Sequence, residues 1–393
     1  MENFIYYTPT KIFFGKGEEK NIGKIIKDYN VHKILIVFGS GSVKKSGLLQ
    51  KVEESLKEEG LEYLEFGGVI PNPELSLAYK GIELGKKEGV DFVLAVGGGS
   101  VIDTAKGIAN GIANPNDDIW DYHLKKKKPS KTLKKGAILT LSAAGSEMSD
   151  SSVLTNSDTK MKSGYNHDFN RLDFAICNPE LTYTVSPYQT ACGAVDIGMH
   201  TIERFFAIGS DLDLTDELSI AIIRTSIKFG KLSYLNPTDY NARAQIMWCS
   251  SLSHNGLTHC GKGFLLTVHQ LEHALSALYP SVAHGAGLAA LWCSWARYVY
   301  KANIDRWYQY ANRIWDLFND DKETAILLAI DKQEEFYRDI GMPISLKELG
   351  VKESDLETLA LMTSKNKTRT IPGYKPLGYQ EILDIFTLAY NND

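Results

Sequence analysis

Five of the chain's nine histidines fall close together: His254, His259, His269, His273 and His284. Within HQLEHALSALYPSVAH, residues 269–284, two of them are spaced i, i+4. An isolated pair of this kind is more often packing or surface than ligand. A second pair changes the reading. GAVDIGMHTIERF places Asp196 and His200 four apart, and residues four apart share one helix face. Together they can grip an ion from adjacent turns. His269 offers another imidazole from a different helix, and Pro280 ends that helix, so His284 must close the site from the next element. Three imidazoles and one carboxylate suit a borderline divalent ion, Fe²⁺ or Zn²⁺. Mg²⁺ or Ca²⁺ would require more oxygen donors.

A different chemistry sits upstream. AVGGGSVIDTAKG (95–107) lies where a strand's carboxyl end would meet a helix N-terminus. Its glycines let the backbone approach an anion, and the first-turn amides of the helix point at it. The spacing is not GxGxxG, and a tight turn that binds nothing is the competing reading. A second turn, VFGSGSVKKSG (37–47), offers Gly39 and Ser40 at a strand end, with Lys44 and Lys45 beyond. No carboxylate stands there to bond a ribose 2′-hydroxyl and repel a 2′-phosphate, which favours NADP(H) over NAD(H).

These groups need elements to hold them. KILIVFGSG (33–41), EYLEFGGV (62–69), DFVLAVGGGS (91–100) and GAILTLSAAGSE (136–147) read as buried strands. Helical periodicity follows each of the first three, over 47–60, 72–89 and 101–113. Repeated β-α units predict a Rossmann-like, doubly wound parallel sheet. Beyond about Thr184 the spacing becomes helical throughout. The expected organisation is a dinucleotide-binding α/β domain over 1–184 and an all-helical metal-binding, catalytic domain over 185–393, an α/β plus all-α architecture.

Composition narrows the classes. The chain has 393 residues, 44% hydrophobic and 23% charged, enough for two cores. A net charge of −5 gives no general attraction for nucleic acid or an anionic membrane. Five scattered cysteines without a CxxC pair predict reduced, mostly buried thiols. No signal-peptide plan and no membrane-length apolar run are visible, so the expectation is a soluble cytoplasmic protein. The lysine-rich stretch HLKKKKPSKTLKK (123–135) has no aromatic platform beside it and reads as a solvated loop.

Taken together, GGGSVIDTAK, LTLSAAGSE, VDIGMH and the HxxxH…HG run at 269–285 resemble the iron-containing (group III) alcohol dehydrogenase family, in its butanol dehydrogenase and NADPH-dependent aldehyde reductase branch. The resemblance spans essentially the whole chain. It implies a dehydroquinate synthase-like architecture with a cleft between the domains, a homodimer, and alcohols or aldehydes as substrates. It places metal ligands at Asp196, His200, His269 and His284. It places His273 near the nicotinamide, where His273 or an ordered water would relay the substrate's proton. Family dinucleotide contacts fall on Gly39, Ser40, Asn72, Gly97, Gly98, Gly99, Ser100, Thr140, Lys162 and Thr182. NAD-preferring members carry aspartate where this chain has Gly39. Two departures stand out: Ala144 replaces a common threonine, and the span from His273 to His284 is one residue longer than the family pattern.

The expected function is therefore metal-dependent NADP(H) hydride transfer on short- to medium-chain alcohols or aldehydes. The alternatives are a glycerol or other polyol dehydrogenase or a lyase of the same fold, and a non-catalytic nucleotide- or metal-binding protein.

Overall fold

The computed structural model describes residues 1–209, 212–263 and 265–392. They form two compact units, residues 7–184 and residues 1–6 with 185–393. The first six residues thus belong with the helices, although chain order would assign them to the sheet domain. Glu2 N donates to Gly261 O at 3.1 Å, and Asn255 Nδ2 donates to the Tyr6 hydroxyl at 3.3 Å.

In the α/β unit the strands are β1 (Lys11–Phe14), β2 (Lys33–Gly39), β3 (Glu62–Val69), β4 (Phe92–Gly97), β5 (Lys134–Leu139), β6 (Ser151–Asn156), β7 (Met161–Asn166) and β8 (Phe174–Cys177). Six of them form one sheet in the order β1-β8-β5-β4-β2-β3, parallel throughout. The four strands expected from sequence are β2 to β5. The edge strand β1 and the inner strand β8 have four residues each, too short to display a period of two. The hairpin of β6 and β7 is antiparallel, stands outside the main sheet and was not read from the sequence.

The helices of this unit are α1 (Ile22–Lys27), α2 (Ser42–Lys45), α3 (Leu48–Glu58), α4 (Leu75–Glu88), α5 (Gly99–Ala113) and α6 (Ile119–His123). Alternation along the strands feeds both faces. Ile34, Ile36 and Phe38 pack with Phe92, Leu94 and Val96 against Val52 and Leu56 of α3. Leu35, Val37, Val93 and Ala95 are equally buried and point the other way, where α5 packs on β2 and β4. Two covered faces explain why these strands read as unbroken apolar runs.

The helical unit comprises α7 (Pro187–Phe205), α8 (Asp213–Leu235), α9 (Tyr240–Ser253), α10 (Thr267–Leu278), α11 (His284–Val299), α12 (Ile304–Trp315), α13 (Lys322–Asp339), α14 (Leu356–Thr363) and α15 (Tyr379–Tyr390). The Ser186 side chain caps α7 by accepting from Gln189 N, and Pro187 occupies its first turn. From Thr190 to Phe205 every side chain of α7 is buried. In α11, Gly285 to Ala296 are buried on all sides. Helices buried all round are central ones, and these two deliver three of the four expected ligands. No described helix is long and apolar enough to cross a membrane. Of the five cysteines, Cys260 alone is partly exposed, and none of the five forms a disulfide.

Candidate metal centre and dinucleotide edge

The four expected ligands converge. Asp196 Oδ1 lies 3.0 Å from His200 Nδ1, 3.5 Å from His269 Nε2 and 3.8 Å from His284 Nε2. They come from α7, α10 and α11. The extra residue before His284 does not carry it away; the turn in which Val282 N donates to Tyr279 O returns the chain toward α7. The His284 side chain is 24% exposed, against 6% for Asp196 and 5% for His269. The cluster is therefore open on the His284 side. His273 is half-buried on that same side, its ring centroid 5.9 Å from that of His284.

The electrostatics favour a cation. Asp196 Oδ1 and His269 Nε2 are both buried and neither has a hydrogen-bond partner. His269 Nδ1 donates to Glu203, so Nε2 turns its lone pair toward the carboxylate. Two buried acceptors facing each other repel unless positive charge lies between them. Burial alone would raise the Asp196 carboxyl, but His200 and His284 outweigh it and hold it well below the usual range. Burial would lower His269, yet Glu203 and Asp196 hold it up at about 9. With no metal, a proton supplies the positive charge, and a divalent ion would displace it. His200 donates Nδ1–H to the Asp196 backbone oxygen at 2.9 Å. Burial, then the neighbouring His269, push its ring down to about 4, which leaves a neutral imidazole near pH 7.

Two carboxylates that sequence reasoning missed orient these rings. Glu203 of α7 accepts from Val268 N at 2.5 Å, from His269 N at 3.2 Å and from His269 Nδ1. One side chain thus caps the opening of α10 and fixes the tautomer of a candidate ligand. Glu272 of α10, fully buried, bonds His284 Nδ1. The signal was available: a ligating histidine normally gives its other N–H to a carboxylate, and glutamates stand beside both motifs in HTIER and HQLEH. A fifth imidazole is also present. The His254 ring centroid lies 4.1 Å from that of His200, and its Nδ1 is buried without a partner.

The second candidate region lies along the carboxyl edge of the sheet. The chain runs from β2 to β3 in one direction, then returns to β4, β5 and β8 in the other, so strand order reverses between β2 and β4. Ligands of open α/β sheets gather at such a switch point. Phe38 pairs with Val96, which sets Gly39 beside Gly97, with Ser40 and the turn Gly98–Ser100 just beyond. Gly98 is the N-cap of α5, and Thr140 N donates to Gly97 O at 3.1 Å. Asn72, in left-handed backbone at φ 55°, accepts from Lys162 Nζ at 3.0 Å. The missed hairpin makes that pairing, since Lys162 sits on β7. Thr182 is buried, and its hydroxyl donates to Pro179 O at 2.7 Å.

Part of the glycine turn has a packing reason. A Cβ on Gly97 would lie 2.5 Å from Val101 Cγ2, and one on Gly98 would lie 3.0 Å from Leu141 Cβ. A Cβ on Gly99 would meet nothing closer than 3.9 Å. Below the turn, fully buried Lys106 donates to Ser146 Oγ at 2.9 Å, Ser149 O at 3.2 Å and Ser151 O at 2.6 Å, with Asp103 Oδ1 at 3.6 Å. Asp103 in turn accepts from Ser146 Oγ and Val153 N. This pair, read only as part of the glycine motif, ties the turn after β5 to α5.

Fold and site together define a class, and comparison with known proteins agrees. The model for "iron-containing alcohol dehydrogenase" matches residues 9–179, and that for the C-terminal part of the Fe-containing alcohol dehydrogenase family matches 190–390. The chain belongs to the iron-containing alcohol dehydrogenase family and is an NAD(P)-dependent oxidoreductase. NADH-dependent butanol dehydrogenase A of Clostridium acetobutylicum is 39% identical over 99% of this chain and all of that protein. The NADPH-dependent aldehyde reductase YqhD of Escherichia coli is 34% identical over 91% of this chain and 92% of that protein. Among solved structures, NADH-dependent butanol dehydrogenase A from Thermotoga maritima superposes with a TM-score of 0.95 at 37% identity, covering 100% of this chain and 99% of that one.

Proposed function

We propose that this chain is a metal-dependent, NADP(H)-preferring alcohol dehydrogenase and aldehyde reductase acting on short- to medium-chain substrates. In this reading Asp196, His200, His269 and His284 hold one Fe²⁺ or Zn²⁺. One observation carries it: the facing, buried, unpartnered atoms Asp196 Oδ1 and His269 Nε2, 3.5 Å apart. A bound divalent ion polarises a carbonyl oxygen or acidifies an alcohol, and a nicotinamide carries the hydride. The protein's own part is positional. Glu203 and Glu272 aim two imidazoles, and the buried floor of the cluster excludes water. His273, on the open side, takes or returns the substrate's hydroxyl proton at a ring nitrogen.

The carboxyl-edge residues are assigned to the dinucleotide, with its pyrophosphate at the α5 N-terminus. Preference for NADP(H) rests on Gly39. Lys44 is held by Glu65 at 2.5 Å, so Lys45 is the cation assigned to a 2′-phosphate. Relatives named as NADH-dependent and as NADPH-dependent both occur, so the residue argument alone carries this preference. The same reading includes a cytoplasmic homodimer.

The test is metal depletion. Chelation should abolish aldehyde reduction, and added Fe²⁺ or Zn²⁺ should restore it. Full turnover by metal-free protein ends the proposal.

A further inference from the structure

We infer that Glu272, Gly285 and Gly287 are positioning residues that carry His284 to the metal centre and set its tautomer. The inference rests on the ligand set proposed above. His284 opens α11 with no side-chain cap before it, so its place depends on how α11 docks. A Cβ on Gly285 would lie 2.2 Å from Cys192 O and 2.6 Å from Cys192 Cα. Those are backbone atoms of α7, one turn before Asp196, and they cannot swing aside. Only glycine lets the first turn of α11 rest there.

The second glycine faces the other neighbour. A Cβ on Gly287 would lie 2.9 Å from Glu272 Cγ and 3.3 Å from Leu275 Cδ2, both on α10. The space it leaves is occupied by the Glu272 side chain, which is wholly buried. Burying a carboxylate is unfavourable unless it is bonded, and Glu272 bonds His284 Nδ1. A donor at Nδ1 leaves a lone pair on Nε2, the atom 3.8 Å from Asp196 Oδ1. Thus α7 fixes the height of His284, while α10 fixes the rotation and proton of its ring.

Helix packing alone would predict sensitivity to size at these positions and nothing more. The positioning role predicts dependence on a hydrogen-bond acceptor, exerted only through His284. Metal affinity is measured by chelator competition for Glu272→Leu, Glu272→Gln, Gly287→Ala and His284→Ala, and for Glu272→Leu combined with His284→Ala. Visible absorption of the Co²⁺-loaded proteins reports coordination independently of activity. Gly287→Ala asks only a flexible side chain to move, so it serves where Gly285→Ala fails to fold. Glu272→Leu should weaken metal binding by about 10- to 100-fold, the range for partners of ligating histidines. Glu272→Gln should recover most of that, because its amide oxygen still accepts. In the His284→Ala background Glu272→Leu should add nothing. The Co²⁺ spectra of Glu272→Leu and Gly287→Ala should move toward that of His284→Ala. Equal losses in both backgrounds, or Leu and Gln behaving alike, overturn the positioning role while the ligand set stands. A His284→Ala protein with unchanged affinity and spectrum overturns the ligand set itself.

Discussion

The two candidate sites are made of different material. Along the sheet edge the candidate donors centre on main-chain amides at a glycine turn and the start of α5. In the helical unit they are four particular side chains, aimed by two carboxylates. A backbone site asks for the absence of Cβ atoms and is indifferent to much else. A side-chain site asks for exact residue types and for the packing that orients them. The difference predicts opposite sensitivities, and the two regions can be separated on that ground.

The largest effect belongs to the imidazole cluster. His269→Ala should empty the metal site and lower kcat/KM by about 10³-fold, what roughly 4 kcal/mol of Lewis-acid stabilisation amounts to. Dinucleotide binding, followed by fluorescence titration, should not change. Loss of both together would erase the division between the regions.

Acid probes the α/β unit through a buried histidine outside both candidate sites. His123 in the α/β unit is buried, its Nδ1 bonded to Ser163 O at 2.8 Å. Burial pushes its ring down from 6.5 to about 4. Between those values the unfolded chain binds a proton that the native chain refuses. The contribution is therefore complete above about pH 6.5 and is lost as pH falls toward 4. At full development it is about 3 kcal/mol. Urea unfolding at pH 7 and pH 5 should show this loss in the parent protein and a smaller one in His123→Gln. Equal pH slopes would remove His123 from the account.

Within the glycine turn, packing and ligand approach come apart. Gly97→Ala sets a Cβ 2.5 Å from Val101 Cγ2 and should cost about 1–3 kcal/mol of stability through overpacking. Gly99→Ala meets nothing closer than 3.9 Å and should fold normally. If amides at that position face a pyrophosphate, Gly99→Ala should still raise the dinucleotide KM by about 10-fold, or roughly 1.4 kcal/mol. A wild-type KM in Gly99→Ala would return the turn to plain β-α geometry.

What could be read beforehand follows the same division. Asp196 and His200 were legible because a helix converts a spacing of four into a shared face, and His269 because it repeats the pattern. The long central strands were legible because burial on both faces leaves unbroken runs such as Ile34–Phe38. Features set by distant contacts were not. Glu203 stood in view in HTIER, but its reach to the opening of α10 across 65 residues did not, nor did that of Lys106 to Ser151 across 45. No local period encodes such distances. Strand β8 has four residues, and its place between β1 and β5 is a property of the assembled sheet. The hairpin of β6 and β7 was hidden for a related reason. Burial alternates along β6, but polarity does not follow it: Ser152 and Leu154 are buried while Val153 is partly exposed.

The smallest effect tests the cofactor-selecting position at the end of β2. Gly39 ends β2, and a Cβ there would sit 3.5 Å from Val69 O, an ordinary contact. Gly39→Asp should therefore fold. Its carboxylate would accept from a ribose 2′-hydroxyl and repel a 2′-phosphate. The kcat/KM for NADPH should fall by about 10-fold relative to NADH, equivalent to roughly 1.4 kcal/mol. Metal content should stay at the parent value, because the change touches only the sheet edge. If the parent enzyme already prefers NADH, the open space at Gly39 is not what selects the cofactor. Discrimination must then come from contacts elsewhere along the edge, with Lys44 neutralised by Glu65 as the first place to look.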